Sequence, residues 1–253
     1  MMQLENRYSR HELLNDFGTK GQEKIRNSSV LIIGAGGLGS TASLYLASSG
    51  VGRLTIVDGD SVDLTNLQRQ ILHSTERIGV PKALSAKISL QAINPEVRVI
   101  GLMTVPNRDL LTKLVQNHDY VLDCTDNTDS RYLLNEVCRE QEKVLVTAGC
   151  VGYNGQVTVF DFRNPNSACY ACLFPNHDGA DEKASSKGVF APMVGMLGCI
   201  QASETLKLMV GIGESLVNSL FMIDVSTMQI QKIRYKKNGR CPVCGKKEKD
   251  HEN

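Results

Sequence analysis

Neither sign of charge dominates this 253-residue sequence: 28 Lys and Arg face 27 Asp and Glu, for a formal net charge of +1. No global field therefore recruits nucleic acid or an anionic membrane, and an acidic partner has to be met by a local patch. Long hydrophobic runs are missing as well. No stretch approaches the roughly 18 uninterrupted apolar residues of a membrane span, and Met1 to Arg10 is polar, without the apolar core of a signal peptide. The expected location is the cytoplasm. There is no internal repeat, and low complexity is confined to the charged tail Lys246 to Asn253. What remains, 42% hydrophobic and 22% charged, argues against disorder and suffices for one large α/β core, or one core with a small appendage.

The most informative segment is the run Gly34-Ala35-Gly36-Gly37-Leu38-Gly39. It follows the apolar run Val30 to Ile33, which reads as a buried parallel strand, and precedes Ser40 to Ser48, whose apolar residues recur at helical spacing. Glycines where a strand meets a helix let backbone amides hold phosphate. A second strand, Leu54 to Val57, ends in Asp58, at about the 20-residue distance from which an acidic residue reaches a ribose hydroxyl. Asp60 and the run Ser61 to Gln70 follow directly. Up to this point NAD fits as well as ATP. Arg69 and Lys82 tilt the balance: a dehydrogenase leaves its bound pyrophosphate intact, whereas an enzyme that breaks ATP needs cations against the charge on the leaving phosphates.

Strand and helix alternate onwards. Ala83 to Ile93 predicts a helix, Val97 to Gly101 a strand, Arg108 to Asn117 a helix, Tyr120 to Asp123 a strand, Ser130 to Glu140 a helix and Lys143 to Val146 a strand. This is the rhythm of a Rossmann-like, doubly wound, mostly parallel sheet. Beyond Gly149 the pattern changes to strands that extend the sheet antiparallel, Gln156 to Phe162, Leu220 to Val225 and Gln229 to Tyr235, with a long helix from Met193 to Val210 between them. The polar stretch Phe174 to Gly188, with Asn176, Asp178, Gly179, Asp181, Lys183, Ser185, Ser186 and Lys187, has the length of a functional lid.

Two further constellations carry chemistry. Eight cysteines raise the question of disulfides, yet Cys169, Cys172, Cys241 and Cys244 form two C-x-x-C pairs in a chain expected in the cytoplasm, which favours metal. Four thiolates make a closed tetrahedral zinc site, here stapling a C-terminal tail to the start of the polar loop. The run Val121 to Asn127 is an apolar strand ending in Asp123, Asp126 and Asn127. Ligands of open α/β sheets bind beyond the carboxyl ends of strands, so Asp126 shares a rim with the glycine turn and suits Mg²⁺, which takes one or two carboxylates plus substrate phosphates. The alternative for Asp126 is a helix N-cap. Asp123 reads as structural.

Asn6 to Arg10, the glycine turn, Asn66 to Gln70, Pro81-Lys82, Leu122 to Asn127 and both C-x-x-C pairs together resemble the ThiF/MoeB/HesA group, bacterial relatives of ubiquitin-activating enzymes. The resemblance runs from Asn6 to Gly245. It implies a single adenylyltransferase domain over 1–253, with an N-terminal helical segment 1–28, a nucleotide-binding core 29–150, and a carrier-binding sheet extension, crossover loop and zinc tail over 151–253. The implied reaction joins ATP to the C-terminal Gly-Gly carboxylate of a ubiquitin-fold sulfur carrier of ThiS or MoaD type and releases pyrophosphate, in thiamine or molybdenum-cofactor biosynthesis. Carried over, Gly37 contacts phosphate, Asp58 the ribose, Asn66, Arg69 and Lys82 the triphosphate, and Asp126 holds Mg²⁺. The whole candidate nucleotide set is Gly36, Gly37, Asp58, Asp60, Asn66, Arg69, Gln70, Lys82, Asp126 and Asn127. Arg10 would reach the nucleotide of the other subunit, making a homodimer part of the active site. One departure concerns the crossover loop, where many members carry a cysteine and this chain has Ala184, which puts a thioester or acyl-disulfide step in question. The chain also lacks room for a rhodanese domain, so a separate sulfur donor is expected. The competing readings are an NAD-dependent oxidoreductase, which leaves Arg69, Lys82 and Asp126 unexplained, and a carrier-binding scaffold without chemistry.

Overall fold

A computed structural model describes residues 6–175 and 188–245 of the chain. Its frame is one eight-stranded sheet of order β3-β2-β1-β4-β5-β6-β7-β8. Strands β1 (Ser29–Ile33), β2 (Arg53–Val57), β3 (Arg98–Leu102), β4 (Tyr120–Asp123) and β5 (Val144–Val151) pair in parallel, while β6 (Asn154–Asp161), β7 (Ser219–Asp224) and β8 (Gln229–Arg234) continue the sheet antiparallel. The mostly parallel α/β sheet with an antiparallel extension is thus as expected from the sequence.

The apolar runs explain why the parallel half is central. A strand covered on both faces has to be apolar at every position rather than at alternate ones, and Val30 to Ile33 are all buried. Val30 and Ile32 face one core, with Leu54, Ile56 and the helices α3 (Gly37–Ser48), α4 (Lys82–Ile93) and α8 (Ala191–Val210). Leu31 and Ile33 face a second, with Val57, Val121 and the helices α5 (Arg108–Gln116) and α6 (Thr128–Glu140). At the N-terminus α1 (Ser9–Glu12) and α2 (Gly18–Arg26) precede the sheet, and α7 (Tyr170–Leu173) follows β6. No helix among the described residues is long and apolar enough to cross a membrane.

Most boundaries fall within two residues of expectation, and two differ by three or more for identifiable reasons. Helix α3 starts at Gly37 rather than Ser40, since the glycines themselves form its N-cap and first turn. Strand β5 runs five residues beyond Val146, because Thr147 to Val151 pair with Asn154 to Thr158 of β6. The stretch Ala148-Gly149-Cys150 lacks the β-branched residues that announce a strand, and its conformation comes from the partner strand instead. The polar residues expected in a lid, Asn176 to Lys187 with Ala184 among them, and the tail beyond Gly245 lie outside the described residues.

A buried histidine ties helix to sheet. His118 follows α5, with Nδ1 2.7 Å from the Leu114 carbonyl and Nε2 2.8 Å from Thr55 Oγ1 of β2. A carbonyl only accepts, so Nδ1 carries the proton and Nε2 accepts from the threonine. Burial pushes the His118 imidazole below its usual value, and burial does the same to His73. The unfolded imidazoles titrate near about 6.5; between that value and the lower folded one the unfolded chain binds more protons. The stability these rings contribute is present above about pH 6.5 and is lost as pH falls through their folded values. Urea unfolding at pH 7.5 and pH 5.5 is expected to give the lower midpoint at pH 5.5, and an equal or higher midpoint there contradicts the neutral, buried rings.

Candidate active site

The site begins where β1 ends. Gly34 adopts φ +99, and a Cβ there would lie 2.6 Å from the Cys124 carbonyl, so the turns after β1 and β4 touch and only glycine fits. Its N–H donates to Val57 O at 2.8 Å, and the next N–H, of Ala35, donates to Asp58 Oδ2 at 2.7 Å. The other oxygen of Asp58 accepts from Asp60 N at 2.8 Å. Gly36 is the N-cap of α3 and offers no side chain to cap it. The first N–H groups of this helix are therefore left for an anion. Gly37 opens the helix against Val194 of α8, whose Cγ2 would be 2.7 Å from a Cβ on Gly37. Gly37 is thus also a packing glycine.

Cationic and polar groups gather around these amides. Lys82, the first residue of α4, places Nζ 2.9 Å from Asp60 Oδ2; the lysine side chain is only 8% exposed, whereas that of Asp60 is 75% exposed. Arg69 is half-buried and donates from Nη1 to Thr65 O at 3.2 Å. Gln70 is 4% exposed and its Oε1 has no hydrogen-bond partner. An orphaned buried carbonyl beside an uncapped helix N-terminus fits a bound polar ligand such as a nucleotide. On the opposite rim, Asp126 is exposed and makes no ion pair among the described residues, which suits a cation held jointly with phosphates. Asn127, not Asp126, is the N-cap of α6, accepting from Ser130 N at 2.9 Å.

One cavity of about 780 Å³ is lined by Gly36, Gly37, Asp58, Asp60, Arg69, Gln70, Lys82, Asp126 and Asn127, nine of the residues named from sequence. Two are not among its lining. Asn66 folds back as the third residue of a capping box with Asp63, its Oδ1 accepting from Asp63 N at 3.3 Å. Arg10 is exposed on α1, a helix held to the body by Tyr8, whose hydroxyl donates to Glu96 Oε2 at 2.9 Å and accepts from Asn94 Nδ2 at 2.9 Å. The far wall of the cavity belongs to the antiparallel extension, with Asn154 and Gln156 of β6, Met222 and Asp224 of β7, and Gln231 of β8.

Sequence reading missed three side chains that hold this site. Arg131, four residues after Asn127 on α6, lines the cavity and donates from Nη2 to Thr125 O at 3.1 Å. Burial works against its charge, but Asp123 and Tyr170 outweigh burial and keep the guanidinium above its usual value. Gln201, a lone buried amide in an apolar helix, donates to Asp123 O at 2.8 Å and Val146 O at 3.2 Å. His73 hydrogen-bonds the glycine turn itself, with Nε2 2.9 Å from Ala35 O. Cys150 also lines the cavity, yet burial pushes its thiol up to about 11, so it offers no thiolate at neutral pH.

The four candidate metal ligands converge elsewhere. The sulfurs of Cys169, Cys172, Cys241 and Cys244 lie within 4.8 Å of one another, with Cys169 to Cys241 at 3.5 Å and Cys172 to Cys244 at 3.2 Å. Disulfide sulfurs sit roughly 2.05 Å apart, whereas Zn–S bonds of about 2.3 Å put tetrahedral sulfurs about 3.8 Å apart. The geometry fits a metal. Burial and the adjacent Cys172 push Cys169 up to about 12; burial would raise Cys241 too, but backbone N–H groups of Cys244 and Val243 pull it below the usual value. Asn238 N donates to Cys172 Sγ at 3.3 Å.

Known proteins are similar to this chain in sequence and fold. The ThiF family model matches residues 8–243. The SAMP-activating enzyme E1 of Haloferax volcanii is 39% identical over 242 residues, covering 95% of this chain and 88% of its own. The molybdopterin-synthase adenylyltransferase of Escherichia coli is 40% identical over 239 residues, covering 94% and 96%. Among solved structures, E. coli MccB with ATP superposes with a TM-score of 0.82 at 26% identity, over 95% of this chain and 75% of that one. With a family model over nearly its whole length and relatives of matching length at such identity, the chain belongs to the ThiF family.

Proposed function

We propose that this adenylyltransferase activates the C-terminal Gly-Gly carboxylate of a ubiquitin-fold sulfur carrier of ThiS or MoaD type. The carrying observation is the shared cavity: the uncapped helix N-terminus and two cations line one end, and strands β6 to β8 wall the other. A triphosphate and a carboxylate can meet there, and both are anions. A carboxylate oxygen attacks the α-phosphorus, the bond to the β-phosphate bridging oxygen breaks, and acyl-adenylate and pyrophosphate form. Asp58 and the α3 amides position ribose and phosphates, with Asp60, Gln70 and Asn127 beside them. Arg69 and Lys82 stabilise charge on the leaving pyrophosphate, and holding the reactants together supplies much of the remaining acceleration. Asp126 would hold Mg²⁺, which supplies charge neutralisation at the phosphates.

Assembly belongs to the same reading. The family resemblance implies that Arg10 serves a nucleotide on a second subunit of a homodimer, and its exposure outside the cavity lining, on a helix pinned by Tyr8, is compatible with that role. Asn66 is placed with the triphosphate by family resemblance alone. The names of the relatives favour a carrier of the molybdopterin-synthase type over one for thiamine, with sulfur delivered by a separate protein. The four cysteines hold a structural Zn²⁺, which offers no open position to water or substrate.

Pyrophosphate exchange into ATP, dependent on a MoaD-type carrier, tests the reaction. Asp126→Ala is expected to abolish exchange with the fold intact, since an exposed carboxylate leaves and no core volume changes; near-normal exchange would remove Asp126 from the site. Arg69→Ala and Lys82→Ala should each cost about 10²-fold or more, and a loss of a few fold returns them to the surface. Mixing Arg10→Ala with Asp126→Ala subunits is expected to restore activity in part, because each hybrid dimer holds one intact site. No recovery after confirmed subunit exchange means that Arg10 does not act across the dimer.

Elemental analysis of protein purified without chelator should find about one zinc per chain, in keeping with a four-thiolate shell. Removing it is expected to free the segment after Arg240 before the nucleotide core melts, since metal binding is coupled to local folding. A zinc content near zero overturns the assignment.

A further inference from the structure

His73 is 8% exposed, between the Arg69-Gln70 pair and the short helical turn Thr75–Arg77. Its Nε2 lies 2.9 Å from Ala35 O and its Nδ1 2.9 Å from Ser85 Oγ. Because a carbonyl only accepts, Nε2 carries the hydrogen. Ser85 Oγ receives Arg77 Nη1 at 3.2 Å and so has its own hydrogen free for Nδ1. Donation therefore runs one way, from Arg77 through Ser85 and His73 to the glycine turn.

The direction has a geometric consequence. In a planar trans peptide the C=O and the following N–H point oppositely, so holding Ala35 O towards His73 sends Gly36 N–H the other way. Asp58 holds the N–H of the same alanine, which fixes both peptide planes around Ala35. Ser85 lies on the first turn of α4, three residues after Lys82, so one side chain joins the phosphate turn to the helix that carries the cation.

We propose that His73 is a positioning residue for nucleotide binding, its Nε2–H bond to Ala35 O aiming Gly36 N–H at the phosphates and setting their distance from Lys82. This rests on the assignment of ATP to the cavity. The test is the dissociation constant of ATP, and separately of adenosine, for the full-length wild type and for His73→Gln and His73→Asn. A glutamine amide reaches about as far as imidazole Nε2, whereas an asparagine amide reaches only as far as Nδ1. His73→Asn is expected to weaken ATP about tenfold, the scale of one hydrogen bond, with adenosine unchanged, and His73→Gln to stay within about threefold of wild type. Equal ATP affinity in both variants and wild type overturns the inference, as does a loss for adenosine as large as for ATP. A wild type that binds no ATP overturns the function reading instead. If the asparagine variant does not fold, nitrogen NMR of the wild-type imidazole decides: a bare Nδ1 and protonated Nε2 at pH 7, with the Gly36 amide shifting on ATP binding, support it, and the opposite tautomer or an imidazolium sinks it.

Discussion

A single buried carboxylate organises the junction between the two halves of this molecule. Asp123 ends β4 at 1% exposure, where an unpaired anion costs several kcal/mol. Its oxygens accept from Thr125 N at 3.0 Å, Thr125 Oγ1 at 2.6 Å and Thr147 Oγ1 at 2.6 Å, with Arg131 Nε at 3.9 Å. Its own carbonyl accepts from Gln201. Strands β4 and β5 and helix α6 thus meet at one charge, and α8 joins them through the carbonyl of the same residue. Thr125 is held by these bonds and Asn127 by Ser130 N, and between them Asp126 is exposed.

That junction coincides with the topological switch of the sheet. The order runs outward from β1 to β2 and β3 on one side and from β4 to β5 on the other, which opens a crevice beyond the carboxyl ends of β1 and β4. Gly34 and Cys124 touch across it, so the glycine turn and the Asp126 turn form one wall. Helix α8 closes the arrangement from behind. Val194 packs on Gly37 and Gln201 bonds the end of β4 and Val146 within β5, so the helix that follows the crossover segment contacts both halves of the proposed ATP site.

Much of this was legible in the sequence because it rests on local chemistry. Apolar runs without alternation announce strands covered on both faces, a strand followed by glycines and a helix announces the phosphate turn, and paired C-x-x-C spacings announce the thiolate cluster. What escaped depends on partners that only the folded backbone brings together. The second half of β5 is a strand by virtue of β6. Asp126 is the cap candidate in the sequence, and the folded backbone places Asn127 at the helix start instead. Gln201, Arg131 and His73 act through partners 78, 6 and 38 positions away. No pattern of spacing identifies such a partner until the sheet is folded.

The charge balance of the cavity links the proposed metal and the proposed second subunit. Lys82 is nearly buried, and its partner Asp60 is mostly in water, where an ion pair contributes little. A phosphate that approaches this ammonium with greater charge and less hydration displaces Asp60 at small cost. A triphosphate together with a carrier carboxylate still brings more negative charge than Arg69 and Lys82 balance, and Arg131 is already committed to Asp123 and Thr125. Two further cationic contributions are needed near the phosphates. In the proposed function one is Mg²⁺ at Asp126, which is exposed and makes no ion pair among the described residues, and the other is Arg10 of a neighbouring chain, as the family resemblance implies, its own helix being held by Tyr8, Asn94 and Glu96 outside the cavity lining. On this reading a lone subunit holds a complete phosphate cradle and an incomplete counter-charge, so adenylation and dimerisation are one requirement rather than two.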